Sequence, residues 1–192
     1  NICDKYRLIL FLDGARLGSA LTCEANDLML SELADLTDVF YIGGTKNGAL
    51  FGEALVIVRD DLKEDFRYLI KQKGAMLAKG FTIGIQFEEL IKDDLYFALA
   101  KHANDMARII TDTLQKCGYS FYATPGTNQI FPILPNKVIE KLSEDFSFII
   151  QHPVVDDHSV VRFVTSWATK PENVDRLCEC IKLYSVMNWK DK

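Results

Sequence analysis

No apolar run in this 192-residue chain approaches the roughly 18–20 residues that a membrane-crossing helix needs, so none is expected. Long blocks of one charge are missing too. The 22 Lys and Arg and 27 Asp and Glu are interspersed, with a net charge of −5 and a pI near 5.2. That pattern argues against nucleic acid and anionic membrane surfaces as partners. Cysteine is sparse and odd in number: Cys3, Cys23, Cys117, Cys178 and Cys180 fit no zinc spacing and are expected to be reduced thiols of a cytoplasmic protein. No metal site is expected, since Asp156-Asp157-His158 reads as a loop. The only other histidines are His102, in a predicted helix, and His152. Repeats, low-complexity stretches and a leader-like opening are absent. There is no initiator Met, and the chain opens on what reads as the end of a helix. The expectation is a cut in a longer polypeptide or a mature proteolytic end.

What is present is a globular composition. Hydrophobic residues make up 48%, enough for a sizeable core in one domain or two small ones. Residues 8–12, 39–43 and 54–58 are short, continuously apolar runs, which predicts strands covered on both faces in a mostly parallel sheet. The third run follows the second closely enough for an antiparallel pair. Asn26–Ala34 reads as a crossover helix. Asp60 or Asp61 is placed to cap a helix that Gly74 stops near Lys73, and a second helix over 75–91 is expected to be interrupted near Gly80 and Gly84. A long helix runs from Asp93 or Asp94 to Lys116, with Gly118 beyond its end. The tail reads as a small α+β domain. It has a strand at 129–134 disturbed by Pro132, a helix at 136–144, strands at 146–151 and 160–167, and a last helix opened by a Thr169–Glu172 capping box and ending near Met187.

Two side chains carry the chemical signal. Asp13 follows the first apolar run and Lys46 follows the second, within Gly43-Gly44-Thr45-Lys46-Asn47-Gly48. A carboxylate and an amine past adjacent strands suit an aldehyde cofactor with a pyridine ring. The amine condenses with the aldehyde, and the carboxylate keeps the ring nitrogen protonated so that the ring accepts electrons. Thr45 and nearby backbone N–H groups suit a phosphate, and the fork of Arg16 suits a carboxylate. Taken singly, each has an ordinary reading: a surface lysine in a glycine-rich turn, a turn aspartate, an exposed ion pair. Their order and spacing make the stronger statement.

Asp13-Gly14-Ala15-Arg16-Leu17 followed by Phe40-Tyr41-Ile42-Gly43-Gly44-Thr45-Lys46 resembles the threonine aldolase family, a branch of the aspartate-aminotransferase-like, fold type I pyridoxal-phosphate enzymes. The resemblance continues through Arg67–Gly74 and Leu77-Ala78-Lys79-Gly80 and returns at Val161-Arg162-Phe163-Val164-Thr165-Ser166-Trp167. It covers nearly all of the chain but only the later part of a family member. The family's phosphate-binding glycine turn and its ring-stacking aromatic or histidine have no counterpart here.

The resemblance implies an α/β fold: part of the large, mostly parallel-sheet domain of an aspartate-aminotransferase-like fold plus a small C-terminal α+β domain. Residues 1–99 correspond to the end of the large cofactor-binding domain, and residues 100–192 to a long connecting helix and the small domain. Lys46 matches the Schiff-base lysine, Asp13 the partner of the pyridinium nitrogen, and Arg16 an arginine near cofactor and substrate carboxylate. Arg162, otherwise an edge-strand surface charge, matches the small-domain arginine that grips the α-carboxylate. Lys79 stands where many members carry an arginine reaching the phosphate of a neighbouring subunit; it keeps the charge and loses the planar fork. The implied cofactor is pyridoxal 5′-phosphate. The implied reaction cleaves threonine or a related β-hydroxy amino acid to glycine and an aldehyde, in a homodimer or homotetramer, with the isolated chain inactive. Alternatives are a β-eliminating lyase, an aminotransferase, or a non-catalytic assembly module.

Overall fold

The computed structural model describes residues 2–155 and 157–187. The chain forms two compact units. One comprises the residues up to Thr22 with Asn26–Leu99; the other comprises Cys23–Ala25 with the residues from Ala100 onward.

The first unit opens with α1 (Ile2–Tyr6), the helix expected there, and continues through β1 (Phe11–Leu12), α2 (Leu17–Leu21), α3 (Leu33–Leu36), β2 (Val39–Gly43), β3 (Glu53–Ile57), α4 (Phe66–Gln72) and α5 (Phe81–Ile91). β1 lies parallel to β2, and β2 antiparallel to β3, as the short connection between the second and third apolar runs suggested. Alternation along these strands sends Leu12, Phe40, Ile42, Ala54 and Val56 to one face. There they pack with Leu17, Leu33, Phe87, Leu90 and Tyr96. The other face presents Phe11, 53% exposed, Leu55, 42% exposed, and a half-buried Tyr41. The apolar runs led us to expect cover on both faces; among the described residues one face is covered.

Local readings in this unit needed correction. The 26–34 crossover is a 3-10 turn, Leu30–Glu32, leading into the one-turn α3. Neither Asp60 nor Asp61 caps a helix: Asp60 pairs with Lys63 at 2.6 Å and Asp61 with Arg59 at 2.7 Å, and α4 starts only after Asp65, whose φ is 55°. The ionic neighbours win the carboxylates from the backbone. α5 begins after Gly80 instead of being interrupted by it, and the space beside Gly84 is open.

The long helix α6 (Leu95–Lys116) follows Asp93 and Asp94, both with left-handed φ of 52° and 57°. The second unit adds β4 (Gln129–Ile130), β5 (Ile133–Pro135), α7 (Asn136–Ser143), β6 (Ile149–Val155), β7 (His158–Val164) and α8 (Pro171–Ser185). β7 is antiparallel to β4, β5 and β6. The expected 129–134 strand is broken where Pro132 has no N–H to give the ladder. Leu114, Leu134, Leu142, Val160, Val161 and Ile181 are fully buried. Pro171 stands in the first turn of α8 as expected, but the N-cap is Lys170 and no capping box forms; the Thr169 hydroxyl accepts the Ser166 N–H instead, at 2.8 Å. All five cysteines are free thiols. No helix among the described residues is long and apolar enough to cross a membrane.

Candidate functional site

The register Phe11 opposite Val39 and Leu12 opposite Phe40 brings Asp13, one residue past β1, beside Tyr41. The period-2 alternation of strands puts both on the open face. The Tyr41 hydroxyl donates to Asp13 Oδ1. The Ala15 backbone N–H donates to the same oxygen at 3.0 Å. The Tyr41 bond, then the Ala15 bond, hold the Asp13 carboxyl below the usual carboxylate range; desolvation opposes them and the nearby Lys46 charge reinforces them. The same bond to Asp13 pushes the Tyr41 phenol up to about 12.

The backbone beneath these groups is drawn together by glycine. Gly43 N–H donates to Gly14 O at 3.0 Å. A Cβ on Gly14 would lie 1.7 Å from the Tyr41 carbonyl oxygen, and one on Gly43 2.5 Å from that of Ala15. After Gly43 the chain turns. Asn47 and Ala49 N–H both donate to Gly44 O, at 2.8 and 3.0 Å. Glu53 on β3 accepts the Gly44 N–H at 2.6 Å, and the Asn47 side-chain amide donates to Tyr96 O at 2.7 Å. The Tyr96 phenol accepts from Gly18 N–H at 3.1 Å and donates to Gly43 O at 3.0 Å. Burial pushes this phenol up to about 12.

This scaffold leaves Thr45 and Lys46 exposed on the turn. The Thr45 hydroxyl makes a long bond of 3.4 Å to Gly52 O. Lys46 makes no hydrogen bond or ion pair among the described residues, yet its charge is felt at Asp13. Arg16 is half-buried at the start of α2. Lys79 is exposed in the irregular segment before α5. Arg162 belongs to the second unit, on β7 opposite Ile149. It is half-buried, and its Nε is buried without a hydrogen-bond partner among the described residues.

Asp13 and Lys46 thus share one electrostatic neighbourhood in the first unit. Tyr41, Glu53, Asn47 and Tyr96 were not singled out from the sequence. Strand alternation alone could have placed Tyr41 on the Asp13 face; the others depend on contacts between residues far apart in the chain. His102 keeps a structural role, its Nε2 bonded to Thr169 O at 2.8 Å. His152 lies within β6, edge-on against Tyr122, and His158 opens β7, so both sit in strands where a loop was expected. Asp156 of the Asp156-Asp157-His158 cluster lies outside the described residues.

Comparison with known proteins adds identity to this geometry. A family model described as beta-eliminating lyase matches residues 1–136. A low specificity L-threonine aldolase of Pseudomonas aeruginosa is 31% identical over 189 residues, covering 94% of this chain and 52% of that protein. A Leishmania major threonine aldolase structure is 48% identical with a TM-score of 0.93, covering 96% of this chain and 54% of the other. An aspartate aminotransferase structure from Thermotoga maritima, at 14% identity and a TM-score of 0.65, shares the fold. The chain spans about half the length of the relatives it matches.

Proposed function

The chain belongs to the beta-eliminating lyase family, and from that premise we propose that it contributes Lys46 and Asp13 to a pyridoxal 5′-phosphate site used to cleave threonine or a related β-hydroxy amino acid into glycine and an aldehyde. The observation that carries this reading is the pairing of an uncommitted amine with a carboxylate whose bonds fall on one oxygen. Lys46 has no partner among the described residues, and both hydrogen bonds that Asp13 accepts go to Oδ1. A pyridine nitrogen and an aldehyde need those two groups left open, so the residues fit the cofactor. When bound, the cofactor supplies an electron sink for the bond cleaved at Cα.

The residues divide the remaining work. Asp13, held ionised, keeps a proton on the ring nitrogen. Lys46 anchors the aldehyde carbon. Thr45 and those N–H groups of its turn that are not bonded to Gly44 O or Glu53 offer donors to the phosphate, and Lys79 offers a charge to the phosphate of a neighbouring subunit. Arg16 and Arg162 bind the amino acid carboxylate; the unpartnered Nε of Arg162 is a donor whose desolvation nothing yet offsets, which suits an incoming carboxylate. Free thiols support a reducing, cytoplasmic setting. Exposed Leu50, Phe81 and Ile85 support self-association as a dimer or tetramer, which sedimentation of the native protein measures.

Borohydride reduction of the holoprotein followed by peptide mapping tests the assignment. The reduced adduct is expected on Lys46, and an adduct on another lysine overturns it. The family's own description favours a second reading, β-elimination. Assaying acetaldehyde against pyruvate and ammonia from a panel of amino acids separates the two.

A further inference from the structure

We infer that Tyr41 is a positioning residue that orients the Asp13 carboxylate, so that Oδ2 is the oxygen offered to a ring nitrogen. The inference rests on the cofactor reading above and assigns a role to a residue which that reading does not use.

The geometry runs through three neighbours. Tyr41 sits on β2 beside Asp13, and its hydroxyl donates to Oδ1. Ala15 N–H donates to the same oxygen at 3.0 Å. Two donors converging on one oxygen fix the rotation of the carboxylate about Cβ–Cγ and leave Oδ2 without a bond among the described residues. The Tyr41 ring is itself braced, with the Phe11 ring centroid 6.1 Å away and tilted by 37°. The charged groups that bear on the pair are Lys46, which favours the Asp13 anion, and Glu53 on β3, which disfavours ionisation of Tyr41. Tyr41 therefore stays a neutral donor and Asp13 an anionic acceptor. A phenol packed on Phe11 for its apolar area alone would need no such bond.

The test uses the native holoprotein and reads the affinity for pyridoxal 5′-phosphate across the acid range, followed by cofactor absorbance. Tyr41→Phe keeps the ring against Phe11 and removes only the donor. Its affinity is expected to fall off at higher pH than in the parent, being roughly threefold to tenfold weaker at the acid end and little changed near neutrality. In the Asp13→Asn background the same substitution is expected to have no effect, because the group it acts through is gone. Site-specific 3-fluorotyrosine at position 41, a stronger donor of nearly the same shape, moves the fall to lower pH and serves as the second variant should Tyr41→Phe fold poorly. Coinciding affinity curves for Tyr41→Phe and the parent overturn the inference. Unchanged affinity in Asp13→Asn overturns the cofactor reading itself, so the two failures are told apart.

Discussion

The two units treat their apolar residues differently. In the second, fifteen buried residues form one core, fed by α6, α7, α8 and the strands around β7. In the first, the core cluster holds eight. Apolar residues stay exposed in both, among them Leu8, Ile9, Phe11, Leu50, Leu55, Phe81 and Ile85 in the first and Tyr122, Ile149, Ile150, Leu183 and Val186 in the second, so the units differ in the size of the core rather than in having exposed apolar surface. The unit with the larger core carries Arg162; the unit with an open sheet face carries Asp13, Tyr41 and Lys46. The cofactor proposed above would need a face that the protein has not already filled, and the open side of the β1–β2–β3 sheet would offer one.

Substitutions can break or sharpen this contrast. The largest effect is expected at Lys46→Ala, which abolishes the cofactor absorbance of the holoprotein. Arg162→Leu, by contrast, keeps the absorbance and lowers kcat/KM by roughly a hundredfold, within the range for unpairing a hydrogen-bonded charge. Loss of the absorbance in both variants ends the proposed division of roles. Next comes stability. Leu142→Ala, in the larger core, is expected to cost about 2–5 kcal/mol by denaturant midpoint, whereas Leu55→Ala on the open face costs less than about 1 kcal/mol. Equal costs would mean that the face is covered in solution.

A smaller effect concerns pH. The Asp13 carboxyl lies below its ordinary value in the folded state, so it favours folding above the ordinary carboxylate range, and that contribution is lost as pH falls through the folded value. Asp13→Asn is therefore expected to flatten the acid dependence of amide exchange in β2 and leave β7 unaltered. The smallest effect is at the exposed Lys101–Asp105 pair, 2.7 Å apart on α6, where Lys101→Ala shifts stability by less than about 0.5 kcal/mol.

Strands β2 and β3 were legible from the runs at 39–43 and 54–58, because four or five apolar residues in a row have few other destinations. The antiparallel turn between them was legible from its length. The open sheet face was not, because continuous apolarity does not record which side finds a partner. The failed caps at Asp60, Asp61 and Thr169 have one thing in common: each side-chain oxygen is bonded to another partner, Lys63, Arg59 and the Ser166 N–H respectively. Asp13 and Lys46 stood out through a motif. The Tyr41 bond joins residues 28 apart and becomes visible only once the strand register is known.

The Tyr96 phenol, bonded at once to Gly18 and Gly43, works as a clasp under the turn that presents Lys46. A phenolate has no proton to give Gly43, so alkali unfastens it. Since folding holds this group at about 12, above the ordinary tyrosine value near 10, the clasp stays shut through mildly basic solution. Its stabilising share is whole below the ordinary value and vanishes as pH climbs through the folded one. Strong base should therefore loosen the lysine's footing from beneath while the second unit keeps its core.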